Sequence, residues 1–168
     1  MSVGIGSPSG IKGRFMRKDF YTMGSLPTRD GSTLGVVARV SHQYTPSEDK
    51  MYFVQIVIAP SAEHRSEEVG ALDPDECRSM IQALDCLTAD SERLRGETLE
   101  YAEIDFCTSN RMLVGFSQTG KRQLGYLYVH EDSLYGKAYF DVSGFRQLQA
   151  LLSSALNTLE SLGASQTD

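Results

Sequence analysis

The sequence predicts an α+β protein made of antiparallel β-meanders, each followed by an amphipathic helix. Three observations support this prediction: short runs with alternating apolar residues, two longer segments with helical apolar spacing, and turn residues between the runs. A chain of 168 residues is long enough to bury a core as a single domain. No run approaches the roughly 20 apolar residues that cross a bilayer, and the first residues do not form a secretory signal. We therefore expect a cytoplasmic protein that does not bind membranes.

The first half contains four predicted strands and one helix. Its third strand is apolar on both faces, so we expect it to be central in a sheet and buried on both sides. The predicted elements are an edge strand or an arm over 11–24, a turn through Asp30 and Gly31, a strand over 33–42, a loop over 44–50, and strands over 51–59 and 69–72.

The helix that follows has clear end signals. Asp73 is a good N-cap, Pro74 suits the first helical position, and Glu76 lies three residues after the cap. Gly96 suits the C-terminal cap. The apolar stripe that should face the core comprises Cys77, Met80, Ile81, Leu84, Leu87 and Leu94.

The second half repeats this order of elements with shorter strands. The predicted elements are strands over 99–107, 111–117, 122–129 and 136–142, a hairpin turn at Thr119 and Gly120, and a helix from Ser143 to Gly163. The helix has its own apolar stripe, which includes Phe145, Leu148 and Leu152.

The two helix entries can be aligned with a shift of 68 residues, which places Asp141 on Asp73. Apolar positions then coincide, and helical phase is kept throughout. Two interpretations fit: a pseudo-twofold duplication of a ββββα unit, or two independent amphipathic helices that align by their common spacing. The predicted organisation is a flexible N-terminus over 1–10, one domain over 11–163 with halves 11–96 and 97–163, and a flexible tail over 164–168.

If 11–24 is a strand, each half has the order strand-strand-strand-strand-helix. This topology resembles the duplicated units of the Pur-alpha and Whirly single-stranded nucleic-acid binders, and the resemblance covers most of the chain. It implies a sheet surface that binds single-stranded nucleic acid. An alternative is that the second half alone forms a small sheet-plus-helix module of pleckstrin-homology-like character.

Tyrosines of the second half define the first candidate binding surface. In the strand over 122–129, either Leu127 and Val129 face the core, or Leu124, Tyr126 and Tyr128 do. In the first case an outer sheet face carries aromatic rings that stack bases and cations that contact phosphates; Glu103 and Asp105 on that face would oppose an anionic ligand. In the second case the other half covers the tyrosines. The residues of this predicted tyrosine face are Tyr101, Arg122, Tyr126, Tyr128, Lys137 and Tyr139.

A basic cluster near the start of the chain is the second candidate. It comprises Lys12, Arg14, Arg17 and Lys18, and is either an arm that contacts phosphate or an acidic partner, or a solvated tail. The formal net charge of −6 argues against a general polyphosphate binder, but the uneven placement of charge allows a basic surface.

Patterns typical of catalysis, metals or cofactors are weak. Residues 115–121 match G-x-x-x-x-G-K, but Arg122 replaces the Ser or Thr of a phosphate-binding loop and the context is a hairpin. Without CxxC or CxxH we expect no metal, and the three cysteines should be reduced thiols. Cys107 is expected to pack in the structure. An enzyme would need His64, His130 or Cys107 to converge with a carboxylate.

The sequence therefore predicts a non-catalytic β-sheet binding module without a cofactor, for single-stranded nucleic acid or another extended ligand. The alternative is a protein-interaction or self-assembly module, which would have a protein partner or form a homo-oligomer through an exposed strand or an aromatic patch.

Overall fold

The predicted fold class is confirmed. The structure is a computed structural model that describes residues 13–44, 49–61, 66–132 and 134–164. Within these residues the chain forms two four-stranded antiparallel sheets, each followed by a helix, so that a ββββα unit occurs twice. No helix in the described ranges is long and apolar enough to cross a membrane.

Both sheets are simple meanders, in which each strand pairs with its neighbours in the sequence. The first unit consists of β1 (Met16–Pro27), β2 (Thr33–Gln43), β3 (Asp49–Ala59), β4 (Glu68–Leu72) and α1 (Pro74–Leu94). The second consists of β5 (Leu99–Cys107), β6 (Leu113–Gly120), β7 (Arg122–Tyr128), β8 (Lys137–Phe140) and α2 (Gly144–Ser161). The segment over 11–24 thus contributes an edge strand from Met16 onward, and its earlier residues 11 and 12 lie outside the described residues.

The two units share one hydrophobic core. Helix α2 follows the second sheet but packs on β1 and β2 of the first, whereas α1 contacts strands of both sheets. The helices run antiparallel, because early residues of α1 meet late residues of α2: Arg78 forms a 3.1 Å ion pair with Glu160, and Asp85 a 2.8 Å ion pair with Arg146. Each helix therefore packs against elements of the other unit.

The duplication is visible at the two helix entries. The Asp73 carboxylate accepts from the Glu76 amide at 2.8 Å, in a complete capping box. In the second unit Ser143 precedes the helix but makes no side-chain cap bond, and Asp141 accepts from the Ser143 amide at 2.9 Å. The aligned pairs Leu72 and Phe140, Met80 and Leu148, and Leu84 and Leu152 are all buried. Only the last aligned pair differs, since Leu94 is buried and Leu162 is exposed.

Three predictions are wrong: they concern the burial of β3, the packing of Cys107 and the C-terminal cap of α1. The outer side of β3 is only half-buried at Met51, Phe53, Gln55 and Val57, so this strand is not buried on both sides. Cys107 is exposed at the end of β5 rather than packed. Arg95, not Gly96, is the C-cap of α1.

The G-x-x-x-x-G-K pattern is part of a hairpin, as expected. Thr119 pairs with Arg122, so Gly120 and Lys121 form a two-residue turn, one residue later than predicted. Gly120 has a φ of 61°, which suits a glycine at the first position of a type II′ turn.

Candidate functional site

The six residues of the predicted tyrosine face lie on one surface of the second sheet. Leu127 and Val129 are buried on the side of the helices, which resolves the two arrangements left open by the sequence. Tyr126 pairs across the ladders with Gly115 and Tyr139, and Tyr128 pairs with Lys137. The outer side of β5 adds Glu103 and Asp105 to the same face, because these alternate with the half-buried Ala102, Ile104 and Phe106.

Hydrogen bonds tie the phenols to one another and to the carboxylates. The Tyr126 hydroxyl donates to Asp105 Oδ2 at 3.0 Å, and the Tyr101 hydroxyl donates to Glu103. The hydroxyls of Tyr128 and Tyr139 are 3.3 Å apart. Lys137 Nζ lies 4.7 Å from the centre of the Tyr128 ring, so the ammonium of this predicted ligand-binding residue already contacts an aromatic ring of the same chain.

Only part of this face is accessible. Tyr101 is 60% exposed and Tyr139 37%, but Tyr126 is 3% exposed. The absence of a side chain at Gly115 explains the difference: the Tyr126 ring reaches across β6 to Asp105 on the far strand, and it stacks on Tyr128 with 4.9 Å between ring centres. Tyr126 thus lies on the predicted face, but its ring is covered and cannot stack a base.

The electrostatics of this face suit hydrogen-bond donors better than phosphates. Burial, followed by the nearby Asp105 carboxylate, raises the pKa of Tyr126 above its ordinary value. Burial and the bond to Tyr139 raise the pKa of Tyr128, and the bond to Glu103 raises that of Tyr101. The phenols therefore remain protonated, and the charged groups bonded to them are the carboxylates of Glu103 and Asp105, with the Lys137 ammonium against the Tyr128 ring.

The predicted basic cluster lies on the other sheet. Lys18 is exposed on β1, and Arg14 is exposed just before this strand. Arg17 forms a 3.0 Å ion pair with Asp19, and Lys12 lies outside the described residues. The candidate residues from the sequence are therefore divided between two sheets and do not form one site.

The outer face of the first sheet, hereafter the Phe–Arg face, contains a row that the sequence analysis did not single out. Phe20 on β1 lies opposite Arg39 on β2, and Arg39 lies opposite Phe53 on β3. In the adjacent row Lys18, Ser41 and Met51 occupy the same three strands. Phe20 is 57% exposed, and Arg39 and Phe53 are half-buried.

Arg39 is held in place by its aromatic neighbour and not by a carboxylate. Its guanidinium carbon lies 4.6 Å from the centre of the Phe53 ring. No described residue forms an ion pair with it. The Nε of Arg39 and the Oγ of Ser41, two positions along β2, are shielded from solvent without a hydrogen-bond partner among the described residues. Buried polar atoms in this state are costly, which marks this part of the face as incomplete.

The charge on the Phe–Arg face is one-sided. Its only carboxylate in the described residues is Asp49, which pairs with Gln43 at the end of the sheet. Asp19 points to the opposite side, beside Arg17. The sequence pattern did not indicate this face, because β3 is apolar on both of its sides. Arg39 was the available signal, since an arginine between Val37 and Ser41 at alternate positions contradicts full burial of that side.

Of the described residues considered for catalysis, Cys107 is the one that the structure places near carboxylates, since it lines a pocket with Asp73, Asp75 and Glu76. Cys107 Sγ donates to the Thr108 carbonyl at 3.5 Å, and His130 is exposed. The neighbouring Glu131 forms a 2.8 Å ion pair with Arg111. His64 lies outside the described residues. Within the part of the chain that the structure describes, no group of three or more His, Cys, Asp or Glu could hold a metal ion.

Comparisons with known proteins give no assignment: no protein-family model, no curated protein and no solved structure matches this chain.

Proposed function

We propose that this protein is a non-catalytic module that binds single-stranded nucleic acid on the Phe–Arg face of its first sheet. The observation that carries the proposal is the row of Phe20, Arg39 and Phe53 across three adjacent strands, with an arginine that has no carboxylate partner among the described residues. The topological resemblance to the Pur-alpha and Whirly proteins points to the same class of ligand, but the proposal does not depend on that resemblance.

The two aromatic rings provide separate stacking positions. Neighbouring strands are about 4.8 Å apart, so Phe20 and Phe53, with β2 between them, are separated by about 10 Å. An unpaired base can stack on the exposed Phe20 ring, and a second can stack on the guanidinium plane of Arg39 above Phe53. Stacking on an aromatic side chain contributes roughly 1–3 kcal/mol per base and does not depend on base identity.

The cations of this face supply the electrostatic part of binding. Lys18 is exposed in the row beside Phe20, and Arg14 lies just before the same edge strand. A strand of phosphates along β1 would meet these charges without passing a carboxylate on the outer side of the sheet. By contrast, Glu103 and Asp105 on the tyrosine face would repel phosphates. The net negative charge of the whole chain disfavours binding of phosphates elsewhere on the molecule.

The test compares two exposed aromatic residues on the two sheets. Phe20 and Tyr101 have similar exposure, 57% and 60%, so their replacement perturbs folding about equally. Fluorescence anisotropy would measure binding of a labelled oligothymidylate of about 15 nucleotides. We expect Phe20→Ala to weaken binding by roughly 5-fold to 100-fold, the loss of one stacked base, and Tyr101→Ala to leave it unchanged.

The role of Arg39 is tested by the dependence of the binding affinity on salt concentration. Each phosphate contact on single strands adds about 0.7 to the slope of log affinity against log salt concentration, so Arg39→Gln should lower this slope by about that amount. Absence of salt-dependent binding by the wild type would refute the proposal. Binding that depends on Tyr101 but not on Phe20 would move the site to the tyrosine face.

The three cysteines are free thiols, which supports our further proposal that the protein works in a reducing compartment, the cytoplasm.

A further inference from the structure

The two edge strands that begin the two units carry opposite charge. Strand β5 has Glu100, Glu103 and Asp105 and no basic residue. Strand β1 has Arg17 and Lys18 against a single acid, Asp19, and Arg14 precedes it. Among the described strands, each of these two has a neighbour on one side only, so its other side presents free backbone amide and carbonyl groups.

The free side of β5 is open on both faces of the sheet. On the side of the helices, Ile104 and Phe106 are only half-buried, whereas Val114 and Phe116 on the adjacent β6 are fully buried. A groove between β5 and α1 is lined by these two β5 side chains together with Ala83 and Leu87 of the helix. An additional strand beside β5 would cover this apolar groove.

Apart from the pair of Arg17 and Asp19, the charged side chains that the pairing would use form no ion pair with a described residue. Glu103 and Asp105 accept hydrogen bonds from phenols, and neither forms an ion pair with a described residue. Arg14 and Lys18 likewise have no ion pair in the described ranges.

We propose that β1 of one copy of this protein pairs with β5 of a second copy and joins their sheets edge to edge. Both strands have regular segments of matching length: β1 keeps its register over 16–22 and β5 over 102–107. Lys18 lies on the outer side of β1, and Glu103 and Asp105 lie on the outer side of β5, so pairing brings opposite charges together across the new ladder. On the inner side Tyr21 would cover Ile104 and Phe106.

The contact uses different surfaces on the two copies, so it repeats head to tail or closes into a ring. It shares Lys18 and Arg14 with the proposed nucleic-acid surface but needs neither Phe20 nor Arg39, so the two proposals are tested separately. It also places the tyrosine face of one copy next to the Phe–Arg face of the other.

The test is a charge exchange between two variants, followed by sedimentation velocity over a range of protein concentrations. An acidic-edge variant carries Arg14→Glu and Lys18→Glu; a basic-edge variant carries Glu103→Lys and Asp105→Lys. In the first both edges are acidic, and in the second both are basic. We expect the wild type to associate in low salt and each variant alone to associate at least about tenfold more weakly. The equimolar mixture should associate again.

A matched control separates edge pairing from net charge. Glu92→Lys with Glu97→Lys makes the same change in net charge as the basic-edge variant, at exposed positions outside β5, and this protein should associate like the wild type. A wild type that stays monomeric at all concentrations would overturn the proposal, and so would a mixture that fails to associate. Circular dichroism spectra of each variant would verify that it is folded. Because no nucleic acid is present, neither result bears on the Phe–Arg face.

Discussion

At the scale of single residues, Gly115 determines how the second sheet is arranged. It lies on β6 between Asp105 of β5 and Tyr126 of β7, and it leaves the space through which the tyrosine hydroxyl reaches the carboxylate. A Cβ at this position would come within 2.5 Å of Asp105 Cβ and 2.7 Å of Asp105 Cα. The glycine that begins the G-x-x-x-x-G-K pattern is thus required for strand packing and not for phosphate binding.

We therefore expect Gly115→Ala to destabilise the fold by about 1–3 kcal/mol, since the backbone of β5 must move to admit the methyl group. Gly96→Ala is the matched control, because a Cβ there would have no atom within 4 Å. Urea denaturation measures both free energies of unfolding. Equal stability of the two variants would show that β5 and β6 are not packed as closely as described.

At the scale of the elements, the two helices begin in different ways despite their common origin in the repeat. In α1 the side chain of Asp73 caps the helix directly, whereas in α2 the corresponding Asp141 closes the turn before the helix. Asp73→Ala should cost about 0.5–2 kcal/mol. Ser143→Ala should have little effect because its side chain makes no cap bond. Chemical denaturation distinguishes these outcomes, and a larger loss for Ser143→Ala than for Asp73→Ala would contradict the assigned caps.

The same elements show what the sequence can predict. The Asp73 and Pro74 signals placed the start of α1 correctly, and alternation placed β5 over 99–107, because these are local effects of capping and strand period. The predicted burial of the outer side of β3 was wrong, because an apolar strand face does not reveal whether another layer covers it. The row of Phe20, Arg39 and Phe53 depends on the registers of two ladders, which no single segment encodes.

At the scale of the whole molecule, the crossed packing of the helices makes the two units one cooperative structure. Helix α2 contacts β1 and β2, and its Arg146 pairs with Asp85 of α1, so neither sheet keeps its core when the other unit unfolds. We expect one unfolding transition with coincident midpoints for secondary structure and for tyrosine fluorescence. Four of the eight tyrosines lie on strands of the second sheet, namely Tyr101, Tyr126, Tyr128 and Tyr139, so tyrosine fluorescence reports mainly on that sheet. Two separate midpoints would therefore mean that the units unfold independently.

The outer faces of the two sheets differ in the side chains they carry. One carries cations and open aromatic rings, and the other carries phenols bonded to carboxylates. The predicted tyrosine face and the predicted basic cluster lie on different sheets. The proposed nucleic-acid site therefore occupies one side of the molecule only.

The most direct measurement of this central claim is a titration of isotope-labelled protein with unlabelled oligothymidylate, followed by amide chemical shifts. We expect the largest changes in amide chemical shift around Phe20, Arg39 and Phe53 on the first sheet, while the chemical shifts of amides around Tyr101 and Tyr139 do not change. Shifts confined to the second sheet, or none at all in low salt, would contradict it.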